Sequence, residues 1–275
     1  MPKTLYVFGY SVWSAAAELA VLELGYSESE VTQKTVTLVN GDNFDPSFLK
    51  INLLGTIPTL EADGRVFTNT TDVIAYLLQH APRKVKAGTP AVIEAVHDQK
   101  YDPNFSMLVA RDEQELAAKG SGLQGMFLAN RQAALERYIT DPAAAEYKDF
   151  YEPRLAANGG LLEIFTRKAA ADVQAGYFVR SQAHFDAVRS ALFEVYPELL
   201  PTSGFIGGEV PGEDDFHMIA WVTRIAFIIG ATSSADGLDA FERAYGAPVS
   251  AKVAAYWGAW VERESWKKVY AETLH

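Results

Sequence analysis

Along the first eighty positions the apolar residues switch between continuous short runs and spacings of three and four, so strands and helices should alternate. TLYVF (4–8) has the length of a strand, SAAAELAVLELG (14–25) is a helical stretch stopped by Gly25, and TQKTVTL (32–38) is a second strand. DPSFLKI (45–51) predicts a short helix opened by Asp45 as N-cap, with Pro46 at its first position. IPTLEA, the Asp63-Gly64 turn and RVFT make a hairpin, and TTDVIAYLLQHA (70–81) a helix with Thr70 as N-cap. The expected order is β-α-β-α-β-β-α.

After Pro82 the pattern changes. APRKVKAG reads as a polar linker, placed at 82–88, and TPAVIEAV opens a helix with Thr89 as cap and Pro90 at its first position. From 89 to 275 nearly every segment has the helical period: Phe185, Val188, Leu192 and Val195 share a face, and Phe216, Ile219, Trp221, Ile225 and Ile228 fill another helix. KYDPNFSMLVARDEQELAAKGSG (100–122) is polar and is expected to be an insertion or a long excursion between helices. No fixed-period repeat interrupts this organisation.

Composition narrows the function. A chain of 275 residues, 49% hydrophobic, can bury a sizeable core in one large domain or two modest ones. Its formal net charge of -11 and the lack of any basic cluster beyond PRKVK (82–86) argue against nucleic acid or an anionic membrane as partner. No run approaches eighteen apolar residues and no cleavable signal pattern opens the chain, so a soluble, cytoplasmic protein is expected. There is no cysteine, which removes disulfides, Cys-ligated metals and Cys nucleophiles together. Any thiol chemistry must use a thiol brought by another molecule. The five histidines, at 80, 97, 184, 217 and 275, are too scattered to form a local metal pair, and no metal is assigned.

GTIPTL (55–60) poses a puzzle, because Pro58 removes a backbone donor at the start of a strand. LYVFGYSVWSAAAELAVLELGY (5–26), PSFLKINLLGTIPTLEADG (46–64) and VFTNTTDVIAYL (66–77), in that order and spacing, resemble the glutathione transferase superfamily. The resemblance implies a thioredoxin-like N-terminal domain over 1–81 followed by an all-helical substrate-binding bundle. It also implies a cis Ile57-Pro58 bond whose preceding backbone groups hold the cysteinyl part of glutathione like an added strand. PGEDDFHMIAWVTRI (211–225) is similar to the start of the family's sixth helix, with Asp215 as the nucleating acid, and AVHDQKYDPNF is similar in style to fungal members.

Carried over residue by residue, the resemblance puts Val7 where tyrosine-type members have their catalytic Tyr and Ser11 where serine-type members have their hydroxyl. Ser11 is also an ordinary turn or cap residue, Ser14 is most simply the N-cap of the first helix, and the flanking Tyr10 and Trp13 either face the ligand or pack. Thr70 keeps the hydroxyl at a helix N-terminus that suits the γ-glutamyl carboxylate, whereas Asn69 replaces the usual Glu. Asn43 stands for the family's His, Thr56 for its Lys, and Leu53 for its Pro. Losing two charge-capable partners of a carboxylate should weaken glutathione binding. His97, Tyr101 and Asn104 are candidates for the acceptor pocket, and His217 and Trp221 lie one turn apart with Trp221 the more core-like.

The expected function is thus a homodimeric glutathione transferase with glutathione as co-substrate and a small hydrophobic electrophile as acceptor. Ether cleavage or isomerisation through the same activated thiol, or a non-catalytic binding module on this fold, remain the alternatives. FGYSVW superficially resembles a serine-hydrolase elbow, but Trp13 replaces its second glycine and no Asp and His follow on later strands.

Overall fold

The computed structural model describes residues 3–275. Strands β1 (Lys3–Val7), β2 (Val31–Thr35), β3 (Thr59–Ala62) and β4 (Arg65–Phe67) form one sheet in the order β2-β1-β3-β4. β2 runs parallel to β1, while β3 is antiparallel to both β1 and β4. The helices of this half are α1 (Val12–Glu23), α2 (Pro46–Leu49) and α3 (Thr70–Gln79). This is a thioredoxin-like β-α-β-α-β-β-α domain.

Local chemistry sets most of these boundaries. The Asp45 carboxylate accepts from Ser47 N–H and Pro46 opens α2, as the pattern predicts. Asp63, at φ 49°, and Gly64, at φ 72°, make the β3–β4 turn. Two caps differ from expectation. α1 begins at Val12 with Ser11, not Ser14, as N-cap, and α3 is capped by Asn69, whose Oδ1 accepts from Asp72 N–H at 2.8 Å, so Thr70 is the first helical residue. β2 ends at Thr35, and a 3-10 turn over Leu38–Asn40 replaces the rest of the expected strand.

The chain then forms α4 (Pro90–Val96), α5 (Pro103–Leu108), α6 (Glu113–Ser121), α7 (Leu123–Ile139), α8 (Lys148–Phe165) and α9 (Ala171–Ser190). A π-helical turn (Ala191–Val195), α10 (Tyr196–Leu199), α11 (Glu213–Ile228), α12 (Gly237–Tyr245), α13 (Ala251–Val261) and α14 (Glu264–Val269) follow. The stretch 100–122, expected as an excursion, is helical in α5 and α6, each opened by an Asp, Asp102 and Asp112, that caps its first N–H groups. Among the described residues no helix is long and apolar enough to cross a membrane.

α11 is the axis of the helical half. Burial extends from Glu213 through Ala226, and its N-terminus is fixed by Asp215, whose carboxylate accepts from Ile206, Gly207 and Gly212 N–H at 2.8, 2.7 and 2.8 Å. α11 packs against α1, so one continuous apolar core joins Leu5, Leu19 and Leu77 of the sheet domain to Trp221, Tyr256 and Trp260. A second cluster seats the α7–α8 pair on the sheet domain: Phe44 and Leu49 lie against Ala134, Leu135 and Phe150, and the Tyr151 hydroxyl donates to Phe44 O at 2.6 Å. Gly55, at φ 61°, lets that contact form, because a Cβ there would meet the Phe150 ring at 2.7 Å.

Candidate active site

Sheet topology collects the candidate residues at one edge. β1 runs toward Ser11, and β3 is antiparallel to it, so the start of β3 at Pro58 lies at the same end of the sheet. β4 reverses again and delivers the chain to Asn69 and the α3 N-terminus there too. The Thr56 hydroxyl ties the two loops by donating to Thr68 O at 3.1 Å.

Ser11 is 8% exposed, in extended backbone, and its Oγ accepts from Ser14 N–H at 3.4 Å. An oxygen in that role keeps its own hydrogen free to donate. Ser14 is fully buried and braces the turn from below, its Oγ accepting from Phe8 N–H at 3.2 Å. Ile57-Pro58 is cis. Neither the N–H nor the C=O of Ile57 has a hydrogen-bond partner among the described residues. Asn52, 1% exposed, organises the loop before them: its amide donates to Thr56 O at 2.9 Å and Thr59 Oγ1 at 2.8 Å, and its Oδ1 accepts from Leu54 N–H. That role is invisible in sequence beyond the presence of an Asn before the turn.

The remaining sequence candidates divide. Thr70 sits in the first turn of α3, and Asp72 brings a carboxylate into the turn where Asn69 has none, held by the Asn69 amide at 2.7 Å. Asn43 is 3% exposed and structural in its contacts, donating to Gly55 O at 2.8 Å. Tyr10 is half exposed, with its hydroxyl donating to Glu272 at 3.3 Å. Trp13 stacks on His97 at 4.1 Å between ring centroids, and His97 Nε2 lies 2.9 Å from His217 Nδ1. Burial drives the His97 imidazole down to about 4 and that of His217 well below its usual value, so both are neutral near pH 7. Tyr101 is buried with its carbonyl accepting from Trp221 Nε1 at 2.8 Å, which places Trp221 in the core. Asn104 lies in the first turn of α5 and contacts its cap, Asp102.

Two hollows lie elsewhere. One of about 500 Å³ is bordered by Glu23, Arg83, Arg263 and Lys268 at the far end of α1, a helix length or about 18 Å from Ser11. Another of about 280 Å³ is lined by Ser106, Lys119, His184, Phe185, Ile225 and Tyr245, with Ser106 Oγ 2.8 Å from His184 Nε2.

The arrangement has a known counterpart. Residues 5–85 match the model of the glutathione S-transferase N-terminal domain. The fold is that of the glutathione transferases. The chain is similar to glutathione transferase F2 from Populus trichocarpa (17% identity, 98% of this chain and 97% of that one, TM-score 0.54). It is likewise similar to the β-etherase LigF from Sphingobium sp. strain SYK-6 (16% identity, 99% and 100%, TM-score 0.57). A third likeness is to the transferase URE2P8 from Phanerochaete chrysosporium with oxidized glutathione (14% identity, 98% and 94%, TM-score 0.51). No curated protein matches the chain.

Proposed function

We propose that this protein is a glutathione transferase of the serine type that activates the glutathione thiol for attack on a small hydrophobic electrophile. The observation that carries this reading is the convergence, at one sheet edge, of the Ser11 hydroxyl, the unengaged backbone of Ile57 and the N-terminus of α3. Its assembly as a homodimer and its kinship with fungal members are inferred from the same resemblance.

The chemistry is that of a thiol made anionic. Ile57 N–H and C=O pair with the cysteinyl backbone, the α3 N-terminus and Thr70 receive the γ-glutamyl carboxylate, and Asp72 faces its ammonium group. Ser11 Oγ–H donates to the sulfur, which favours thiolate over thiol, and the proton leaves to solvent. Two units of pKa depression correspond to about 2.7 kcal/mol of preferential stabilisation, within reach of one hydroxyl and a helix N-terminus together. The thiolate then attacks the electrophilic carbon: an S–C bond forms while the leaving group departs with its bonding pair. An ether substrate would follow the same course, with an alkoxide or phenoxide as leaving group.

Calorimetric titration with reduced glutathione in two buffers of different ionisation enthalpy tests the reading. Binding with proton release that Ser11→Ala abolishes is expected. Absence of binding at millimolar ligand would leave the fold as a non-catalytic module.

A further inference from the structure

Arg224 stands out among the polar groups that the proposed chemistry does not yet use. It lies on α11, in a run of otherwise mainly apolar positions, and is only 3% exposed. One guanidinium nitrogen, Nη2, donates to the carbonyl of Tyr10 at 2.7 Å, and Nη1 lies 3.4 Å from the thioether of Met107. Its Nε is buried without a partner, and none of the ion pairs among the described residues includes it. Burial lowers its pKa only to about 10, so the group stays charged at neutral pH. A buried cation is ordinarily paired with a carboxylate, because removing it from water without a counter-charge is costly. Buried Glu23, by contrast, is met by Arg263 and by the Ser265 hydroxyl.

The partner chosen by Arg224 is informative. The Tyr10 carbonyl belongs to the peptide unit whose N–H is that of Ser11, and that N–H donates to Phe8 O at 2.9 Å. A trans peptide is planar, with its C=O and N–H pointing to opposite sides. Arg224 and Phe8 therefore hold one plane from both ends, and that plane sets the direction of the Ser11 side chain. The same contact places a full positive charge one peptide unit from Ser11, in surroundings of low polarity where its field is poorly screened.

We infer that Arg224 is a positioning residue whose missing counter-ion is the sulfur held at Ser11: it fixes the Tyr10–Ser11 peptide and favours the thiolate over the thiol. This rests on the reading of the site as a glutathione site. Other ionisable groups act on the same region. Asp102, whose carboxylate caps α5, and Tyr270 act on Arg224 without pairing with it, and His275 lies near it with burial and the guanidinium both keeping it neutral. Tyr270 is itself held neutral by burial, and Glu18 on α1 acts on it. Glu18, pushed up to about 7 by burial, ionises in the pH range of interest.

The test is the pH titration of bound glutathione, followed by the ultraviolet absorbance of its thiolate. It compares the full chain with Arg224→Gln, which keeps a donor for Tyr10 O without charge, and Arg224→Lys, which keeps the charge. Each is also made in a Glu18→Gln background so that the carboxyl does not contribute. Arg224→Gln is expected to raise the bound thiol's pKa by about one unit, a tenfold loss of thiolate at a given pH, while Arg224→Lys shifts it by less than about 0.3 unit. Affinity for S-methylglutathione, which has no ionisable thiol, should change less than about threefold in either variant. A bound-thiol pKa unchanged in Arg224→Gln overturns the inference, as does a loss of S-methylglutathione binding equal to the loss of glutathione binding. If the unaltered protein binds no glutathione, the site reading fails first and this inference with it. If it binds with a lowered thiol pKa that Arg224→Gln leaves in place, only the inference fails.

Discussion

His97 and His217 share a hydrogen bond of 2.9 Å across the contact between α4 and α11, and His97 stacks on Trp13, two residues beyond Ser11. The pair links the turn that carries Ser11 to the two helices above it. Its stability depends on both rings remaining uncharged.

That dependence has a sign. Both imidazoles have folded-state pKa values below that of an unfolded chain, near 6.5, so the unfolded state takes up protons first as pH falls. Their contribution is fully present above pH 6.5 and is lost as pH drops toward 4. Urea unfolding at pH 7.5 and pH 5 should differ by about 2 kcal/mol on account of His97, with a further difference of the same sign from His217, and His97→Asn with His217→Asn should flatten the difference. An unchanged pH slope in the double variant would contradict the assignment.

Glu18 works in the other direction. Burial raises its carboxyl to about 7, so the folded state prefers it protonated. The stability it allows is present below pH 4.5 and is lost as pH rises through 7. Glu18→Gln is expected to stabilise the fold by on the order of 2 kcal/mol at pH 8 and by little at pH 4.5, read as denaturation midpoints at the two pH values.

Asp215 should be among the costliest positions to change. Its carboxylate satisfies three backbone N–H groups at the head of α11, and Asp215→Ala leaves them without partners. A loss of about 2–4 kcal/mol is expected in chemical denaturation, against about half of that for Asp215→Asn, which retains an acceptor.

Much of this was legible in the sequence where structure is decided locally. Asp45-Pro46 and Asp63-Gly64 fix a helix start and a hairpin within four residues, and both appear as expected. The caps of α1 and α3 were less determined. Ser11 and Ser14, or Asn69 and Thr70, are each able to cap, and the choice is made by tertiary contacts such as Ser14 Oγ with Phe8 N–H. The polarity of 100–122 hid two short helices whose stability comes from Asp caps and from packing, α5 against α11 and α6 against α7. Arg224, and the pairing of His97 with His217, were illegible, because each partner lies more than a hundred residues away and α11, which carries Arg224 and His217, reads simply as core.

Whether Ser11 stabilises a bound thiolate is read from the thiol pKa of glutathione bound to the unaltered protein and to Ser11→Ala. A bound value about two units below that of free glutathione is expected, returned most of the way by the substitution while binding of S-methylglutathione persists. A bound thiol that titrates like the free one, or a depression that survives Ser11→Ala, would contradict that role of Ser11.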